Sequence, residues 1–174
     1  MNRASSFESL DDFLSIPRLT GLVLSPDGSR LVAPVQTLSP DRKRRMSALW
    51  EIDPAGGPPR QLTRSAPVEA APAFMPDGDL LFVSKRPEPS LEHSDKSDAD
   101  DARLWSLPMR GGEAELVLSR SGGVGLALVA RDTGTLVVIC PTLTGPADGD
   151  DQRRTARRDA GVTAILHETL PVRH

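Results

Sequence analysis

The sequence predicts an all-β chain, a partial β-propeller of about two and a half four-stranded blades behind a short N-terminal helix. Three observations lead there. A Pro-Asp-Gly turn recurs after 50 residues, at Pro26-Asp27-Gly28 and Pro76-Asp77-Gly78. A Trp-bearing strand recurs after 55, as Leu49-Trp50-Glu51-Ile52 and Leu104-Trp105-Ser106-Leu107. The composition is that of a turn-rich sheet protein, with 16 Pro and 14 Gly among 174 residues but only four Phe, two Trp and no Tyr. Repetition at a period of this size marks an architecture in which each supersecondary unit buries its faces against its neighbours.

The elements follow in order. Ser6-Phe7-Glu8-Ser9-Leu10-Asp11-Asp12-Phe13-Leu14 carries apolar residues at 7, 10, 13 and 14 behind a Ser cap, which predicts a short amphipathic helix that Pro17 ends. The first blade then takes strands at 20–24, 29–36, 47–53 and 58–63. Its first two strands are joined by the Asp27-Gly28 turn, where Pro presets φ, Asp bonds its own backbone and Gly accepts positive φ. Inner strands sandwiched between blades should be apolar on both faces, as Leu31-Val32-Ala33 and Leu80-Leu81-Phe82-Val83 are, whereas the Trp strands alternate as outer strands do.

The second blade repeats this plan around an acidic, Ser-rich loop from Pro87 to Asp101 and closes on Glu115-Leu116-Val117-Leu118. A third starts with Val124-Gly125-Leu126-Ala127-Leu128-Val129, turns at Arg131-Asp132-Thr133-Gly134 and continues to Cys140, after which no third Trp strand occurs. A polar connection from Pro141 to Asp159 leads to the apolar patch Val162-Thr163-Ala164-Ile165-Leu166, whose pattern fits helix and strand equally. The expected division is a helical segment at 1–19, blades at 20–66 and 67–121, and an incomplete blade at 122–174.

A net charge of −3 gives no concentrated basic surface, so neither nucleic acid nor an anionic membrane is expected as a partner. Arg42-Lys43-Arg44-Arg45 and Arg153-Arg154 with Arg157-Arg158 read as solvated loop charges without interleaved aromatics. The single Cys140 cannot form an intrachain disulfide, and the opening residues lack a signal peptide's apolar stretch, which predicts a cytoplasmic location. No window has the 18 consecutive apolar residues of a membrane span.

Candidate chemistry is sparse. His93, His167 and His174 are isolated, with no companion at metal-ligand spacing. The carboxylate runs Asp95, Asp98, Asp100, Asp101 and Asp148, Asp150, Asp151 lack the terminal bidentate Glu of a calcium loop. Gly56-Gly57 and Gly122-Gly123-Val124-Gly125 are too short and wrongly placed to cradle phosphate and read as turns. Cys140 lies in an apolar strand and reads as an inert thiol, and Trp50 and Trp105 read as packing residues at equivalent blade positions. No catalytic, cofactor-binding or metal residue is assigned, and no cofactor is expected.

The opening helix, Ile16-Pro17-Arg18-Leu19, then Leu24-Ser25-Pro26-Asp27-Gly28-Ser29-Arg30-Leu31 and the Leu49-Trp50-Glu51-Ile52-Asp53 strand together resemble the N-terminal propeller of prolyl oligopeptidase family serine peptidases. The pattern is most similar to the acylaminoacyl-peptidase branch and covers nearly all of the chain. The resemblance implies a propeller of seven or eight blades that caps an α/β-hydrolase domain and filters and docks short or N-acylated peptides. The chemistry would then belong to the partner domain, whose nucleophile sits on a Gly-x-Ser-x-Gly elbow. No such elbow occurs between Met1 and His174, so no catalytic triad can be carried over and the chain reads as an inactive fragment of a larger peptidase. Its expected partners are the hydrolase domain, the remaining blades and a peptide substrate. A non-enzymatic propeller that binds a protein partner is the alternative. Blades without neighbours leave apolar sheet faces bare, so self-association is also expected.

Overall fold

The computed structural model describes residues 9–64, 68–87, 101–143 and 149–162. They fall into two compact units, Met1–Pro141 and Thr142–His174.

The first unit is built of three antiparallel sheets behind a one-turn-and-a-half helix, α1 (Leu10–Ser15). Blade 1 comprises β1 (Arg18–Leu19), β2 (Val23–Leu24), β3 (Leu31–Leu38), β4 (Arg45–Ile52) and β5 (Arg60–Gln61), with β1 and β2 both paired to β3. Blade 2 is the four-stranded meander β6 (Glu69–Phe74), β7 (Leu80–Ser84), β8 (Arg103–Leu107) and β9 (Glu115–Leu118). Blade 3 contributes the hairpin β10 (Leu126–Val129) and β11 (Leu136–Ile139). The helix starts where the Ser9 side chain accepts from the N–H of Asp12, and it stops at Ile16, whose extended backbone is what the following Pro17 favours.

The inner strand of blade 1 is broken in two for a local reason. It runs alongside β3 at Pro34, which has no N–H to give the ladder, and only the Pro34 carbonyl is used, accepting from the N–H of Thr20 at 3.1 Å. The corresponding stretch of blade 2 contains Pro72, and there β6 answers with a register shift between Ala70 and Ala73.

Pairing partners define which side chains share a face. Leu24 pairs with Leu31 in blade 1, Phe74 with Leu80 in blade 2, and Val129 with Leu136 in blade 3. Blade 2 therefore has one residue fewer between its first two strands, so Leu31 corresponds to Leu80 and not to Leu81, as the Asp-Gly spacing alone would give. Trp50 pairs with Ala33 and Trp105 with Phe82, which are equivalent positions, so the two Trp do occupy the same place in successive blades.

Each blade thus has a forward face toward the next blade and a back face toward the previous one. Forward Val32 and Leu49 of blade 1 bury themselves against back-face Phe74, Leu80, Phe82 and Trp105 of blade 2. Forward Leu81, Val83 and Leu104 of blade 2 bury themselves against Ala127, with Val129, Leu136 and Val138 of blade 3 packed around them. These two apolar layers are the core. The Trp strand β8 does not alternate as an outer strand would, because Arg103, Leu104 and Trp105 are all buried by blades on both sides.

The second unit contains α2 (Asp150–Asp159), where a polar connection was expected. Acidic Asp150 and Asp151 fill its first turn and basic Arg157 and Arg158 its last, the order the helix dipole favours, and Arg154 bonds Asp150 one turn away at 2.8 Å.

Candidate functional site

The first strands of the three blades, β2, β6 and β10, lie side by side. They line a concavity of about 680 Å³, with walls of Val23, Leu24, Ala71, Pro72, Leu126 and Leu128. In a propeller these innermost strands face the central channel, so the concavity is a piece of channel wall. Its lining is mostly apolar, and Arg131 brings a guanidinium to its rim, where Nη2 donates to the Pro26 carbonyl at 2.9 Å. The wall also holds a strained residue. Ala71 stands at φ 49°, inside the bulge of β6, a conformation costing about 1–2 kcal/mol for a residue with a Cβ.

The Asp-Gly turns that border the concavity are scaffolding. Asp27 accepts from the hydroxyl of Ser25 at 2.6 Å and from the N–H and hydroxyl of Ser29 at 3.0 and 2.8 Å, and Gly28 takes φ 75°. Those bonds, the Ser25 hydroxyl first, hold the Asp27 carboxyl down from 3.8 to about 2. The same device appears a second time in blade 1, at Ser39-Pro40-Asp41-Arg42. There the Ser39 hydroxyl bonds Asp41 and accepts from the N–H of Arg44, just as Ser25 accepts from Arg30. The Asp41 carboxyl is lowered by Ser39 and by the N–H of Lys43. Arg42 occupies the place of Gly28 at φ 59°. The basic run at 42–45 is therefore a structured hairpin turn rather than a loose loop: Arg42 pairs with Asp11 at 2.8 Å and Arg45 donates to the Leu14 carbonyl, which fastens α1 to blade 1.

Between blades 1 and 2 lies a buried polar junction. Glu69 is fully buried; its carboxylate takes Arg86 at 2.6 Å and the Thr63 hydroxyl, while its carbonyl accepts from Ser47 at 2.7 Å. Thr63 in turn accepts from the N–H of Leu49, and the Arg86 guanidinium lies 4.9 Å from the centroid of Phe82 and 5.2 Å from that of Trp105. A second bridge joins the same blades at the other end: Arg30 bonds Glu51 at 2.6 Å, covers the Phe74 ring and reaches the Gly78 carbonyl. Burial pushes the Glu51 carboxyl up, but the bonds and charges of Arg30 and Arg60 outweigh it and leave the group below its ordinary value. Sequence spacing did not bring Glu69 to Arg86. The available signal was a Glu at the start of an apolar strand, where a charge needs a partner.

Other residues singled out by sequence fall apart in space. Gly123, at φ 83°, lies so close to the backbone of Ala102 that an added Cβ would stand 3.2 Å from it, which makes the Gly-rich run a close-packed connector from blade 2 to blade 3. Cys140 is half-buried beside the second core layer. Asp150 is taken up by Arg153, Arg154 and the N–H of Leu143, and its carboxyl is lowered, by Arg154 foremost. His93, His167, His174, Asp95, Asp98, Asp100 and Asp148 lie outside the described residues, as does the patch from Thr163 onward. Among the described residues no three His, Cys, Asp or Glu gather as metal ligands would, and no helix is long and apolar enough to cross a membrane.

No protein-family model matches the sequence, and no curated protein matches it. Among solved structures, the chain is similar to a protein from Agrobacterium tumefaciens assigned as TolB, a β-propeller, at a TM-score of 0.52 and 17% identity over 72% of this chain. The chain spans 39% of that structure's length. At this identity the likeness speaks for the fold, and it agrees with the three blades and their interlocking faces: the chain has a β-propeller architecture.

Proposed function

We propose that the chain is a non-catalytic propeller portion that gates and docks short or N-acylated peptides for a serine peptidase domain of the α/β-hydrolase type. The observation that carries this reading is the apolar concavity on the channel side, roofed by three inner strands and rimmed by Arg131. An extended peptide entering there would meet apolar side chains and one cation suited to its C-terminal carboxylate. The motifs around Pro17, Asp27 and Trp50 that resemble prolyl oligopeptidase propellers support the same reading.

The purified chain should leave short peptide and acyl-peptide anilides uncleaved and unreactive toward a serine-directed fluorophosphonate, while peptide addition should shift NMR signals of Ala71, Leu126 and Arg131. Cleavage by the chain itself would overturn the division of labour. Shifts confined to the outer strands would favour the second reading, a propeller that binds a protein partner through its sheet faces. That reading draws on the apolar side chains left open on blades 1 and 3.

A further inference from the structure

We infer that the Asp77-Gly78 turn of blade 2 is a site of spontaneous backbone rearrangement to isoaspartate, while two serine hydroxyls protect the matching Asp27-Gly28 turn of blade 1. The inference does not depend on peptide docking. An aspartyl-glycyl bond is open to this reaction because glycine has no Cβ to hinder ring closure. The Gly78 nitrogen attacks Cγ of Asp77; the N–Cγ bond forms as the carboxyl hydroxyl departs, and that hydroxyl leaves with the amide proton as water. Water then adds to the Cα-side carbonyl of the resulting succinimide, and the bond from that carbonyl to the Gly78 nitrogen breaks. Gly78 is left joined through the Asp77 side chain, the α-carboxylate stands free, and the mass is unchanged.

The two turns differ at the electrophile. Their glycine nitrogens are held alike, Gly28 donating to the Ser25 carbonyl at 2.9 Å and Gly78 to the Met75 carbonyl at 3.0 Å, and both glycines take positive φ. In blade 1 the Asp27 carboxylate accepts from the Ser25 hydroxyl at 2.6 Å, the Ser29 hydroxyl at 2.8 Å and the Ser29 N–H at 3.0 Å. Those bonds fix the carboxylate and favour its ionised form, the poorer electrophile. In blade 2, Met75 and Asp79 stand in the places of Ser25 and Ser29, so both hydroxyls are lost. What the exposed Asp77 carboxylate keeps, among the described residues, is the N–H of Asp79 at 3.1 Å. The Asp79 side chain does not replace the missing donors, since it is itself an acceptor and takes the N–H of Met109 at 2.8 Å. Asp77 is thus held by one bond where Asp27 is held by three, and its Cγ can turn onto the Gly78 nitrogen.

The product bears on the seam between blades 1 and 2. The Gly78 carbonyl accepts from Arg30 at 3.4 Å, next to the bridge from Arg30 to Glu51. Rearrangement inserts one more backbone atom into this short hairpin and so displaces that carbonyl from Arg30.

The full chain, held in mildly acidic buffer at body temperature and sampled over weeks, provides the test. Trypsin releases Asp77 in peptide 65–85, Asp27 in peptide 19–30, and Asp148, an aspartate outside the described residues, in peptide 132–153. Isoaspartate in each is counted by methyl transfer from labelled S-adenosylmethionine with an isoaspartyl methyltransferase. Peptide 65–85 should gain label steadily and peptide 19–30 more slowly by about tenfold, the margin set by a carboxyl lowered by more than one pH unit. Asp77→Glu should abolish the label in 65–85, because the larger ring closes far more slowly. Ser29→Ala, at an exposed site, should raise the label in 19–30 while circular dichroism stays native. In denaturant the two native peptides should label at similar rates, since both then carry the same Pro-Asp-Gly sequence. Equal labelling of the two peptides in the folded chain would overturn the inference. So would label in 65–85 that survives Asp77→Glu, or a folded chain that stays unlabelled there while the denatured chain does not. No response to Ser29→Ala would remove the hydroxyls as the protecting groups and refute it equally.

Discussion

Blades 1 and 2 are built on one plan, yet the same back-face position is half-buried in one and sealed in the other. Trp50 and Trp105 hold equivalent ladder positions, but Trp105 is 2% exposed while Trp50 is only half-buried. The partners across the ladder, Ala33 beside Trp50 and Phe82 beside Trp105, are both fully buried, so the contrast rests on the ring of Trp50 itself. What seals a blade face is therefore the neighbouring blade, and the local pattern of a strand tells where its side chains point but not what they meet.

The largest effect expected from this contrast is on the two tryptophans. Trp105→Ala should cost about 3–5 kcal/mol in urea unfolding, since it empties a packed layer and removes a ring from under Arg86. Trp50→Ala should cost about 1–2 kcal/mol, in keeping with its partial burial. Equal losses would show that the back face of blade 1 is as well covered as that of blade 2.

Next comes the junction that joins the two blades. Glu69→Gln keeps the shape but removes the charge facing Arg86, and breaking a buried ion pair costs about 3 kcal/mol when one charge stays behind. The same substitution at Glu51, which is partly open to water, should cost well under half as much. Thermal unfolding of the two variants side by side checks the difference.

The backbone offers a gain. Ala71→Gly should raise stability by about 1 kcal/mol, because glycine takes a positive φ without the Cβ penalty. Arg42→Gly should gain less, since it also gives up a surface ion pair to Asp11 worth about 0.5 kcal/mol. A lowered melting temperature for Ala71→Gly would mean that the methyl group holds the bulge in place.

The last test concerns pH. The folded carboxyl of Asp27 is depressed, so its contribution is complete above 3.8 and is lost as pH falls toward about 2. Acid unfolding of Asp27→Asn should be flatter than that of the native chain across this window. A matching loss in both would remove the turn from any role in acid stability.

Much of this was legible in the sequence. The turn at Asp27-Gly28, the recurrence of Trp50 and Trp105 and the apolar second strands place the first two blades and the start of the third, because each depends on local chemistry. What stayed hidden depends on distance or on count. The shorter hairpin of blade 2 shows only when Leu80 is seen opposite Phe74, and a one-residue difference reassigns every face that follows. Glu69 opens β6 and Arg86 follows the end of β7, and the pairing of Glu69 with Ser84 brings the two together. The second Ser-Pro-Asp turn was masked by Arg42, which stands where glycine is expected. The arginine run in α2 read as loop because its helix rests on charge order and a buried Asp150 rather than on an apolar stripe.

The bond from Arg131 to the Pro26 carbonyl spans 105 residues of chain. It can close only after all three inner strands have taken their places, so it belongs to the last events of folding, when loop-closure entropy has already been met by the blade contacts. Blades 1 and 2 should therefore gain hydrogen-exchange protection before the amides of the hairpin around Arg131 do, and the slow step of refolding should be the arrival of blade 3.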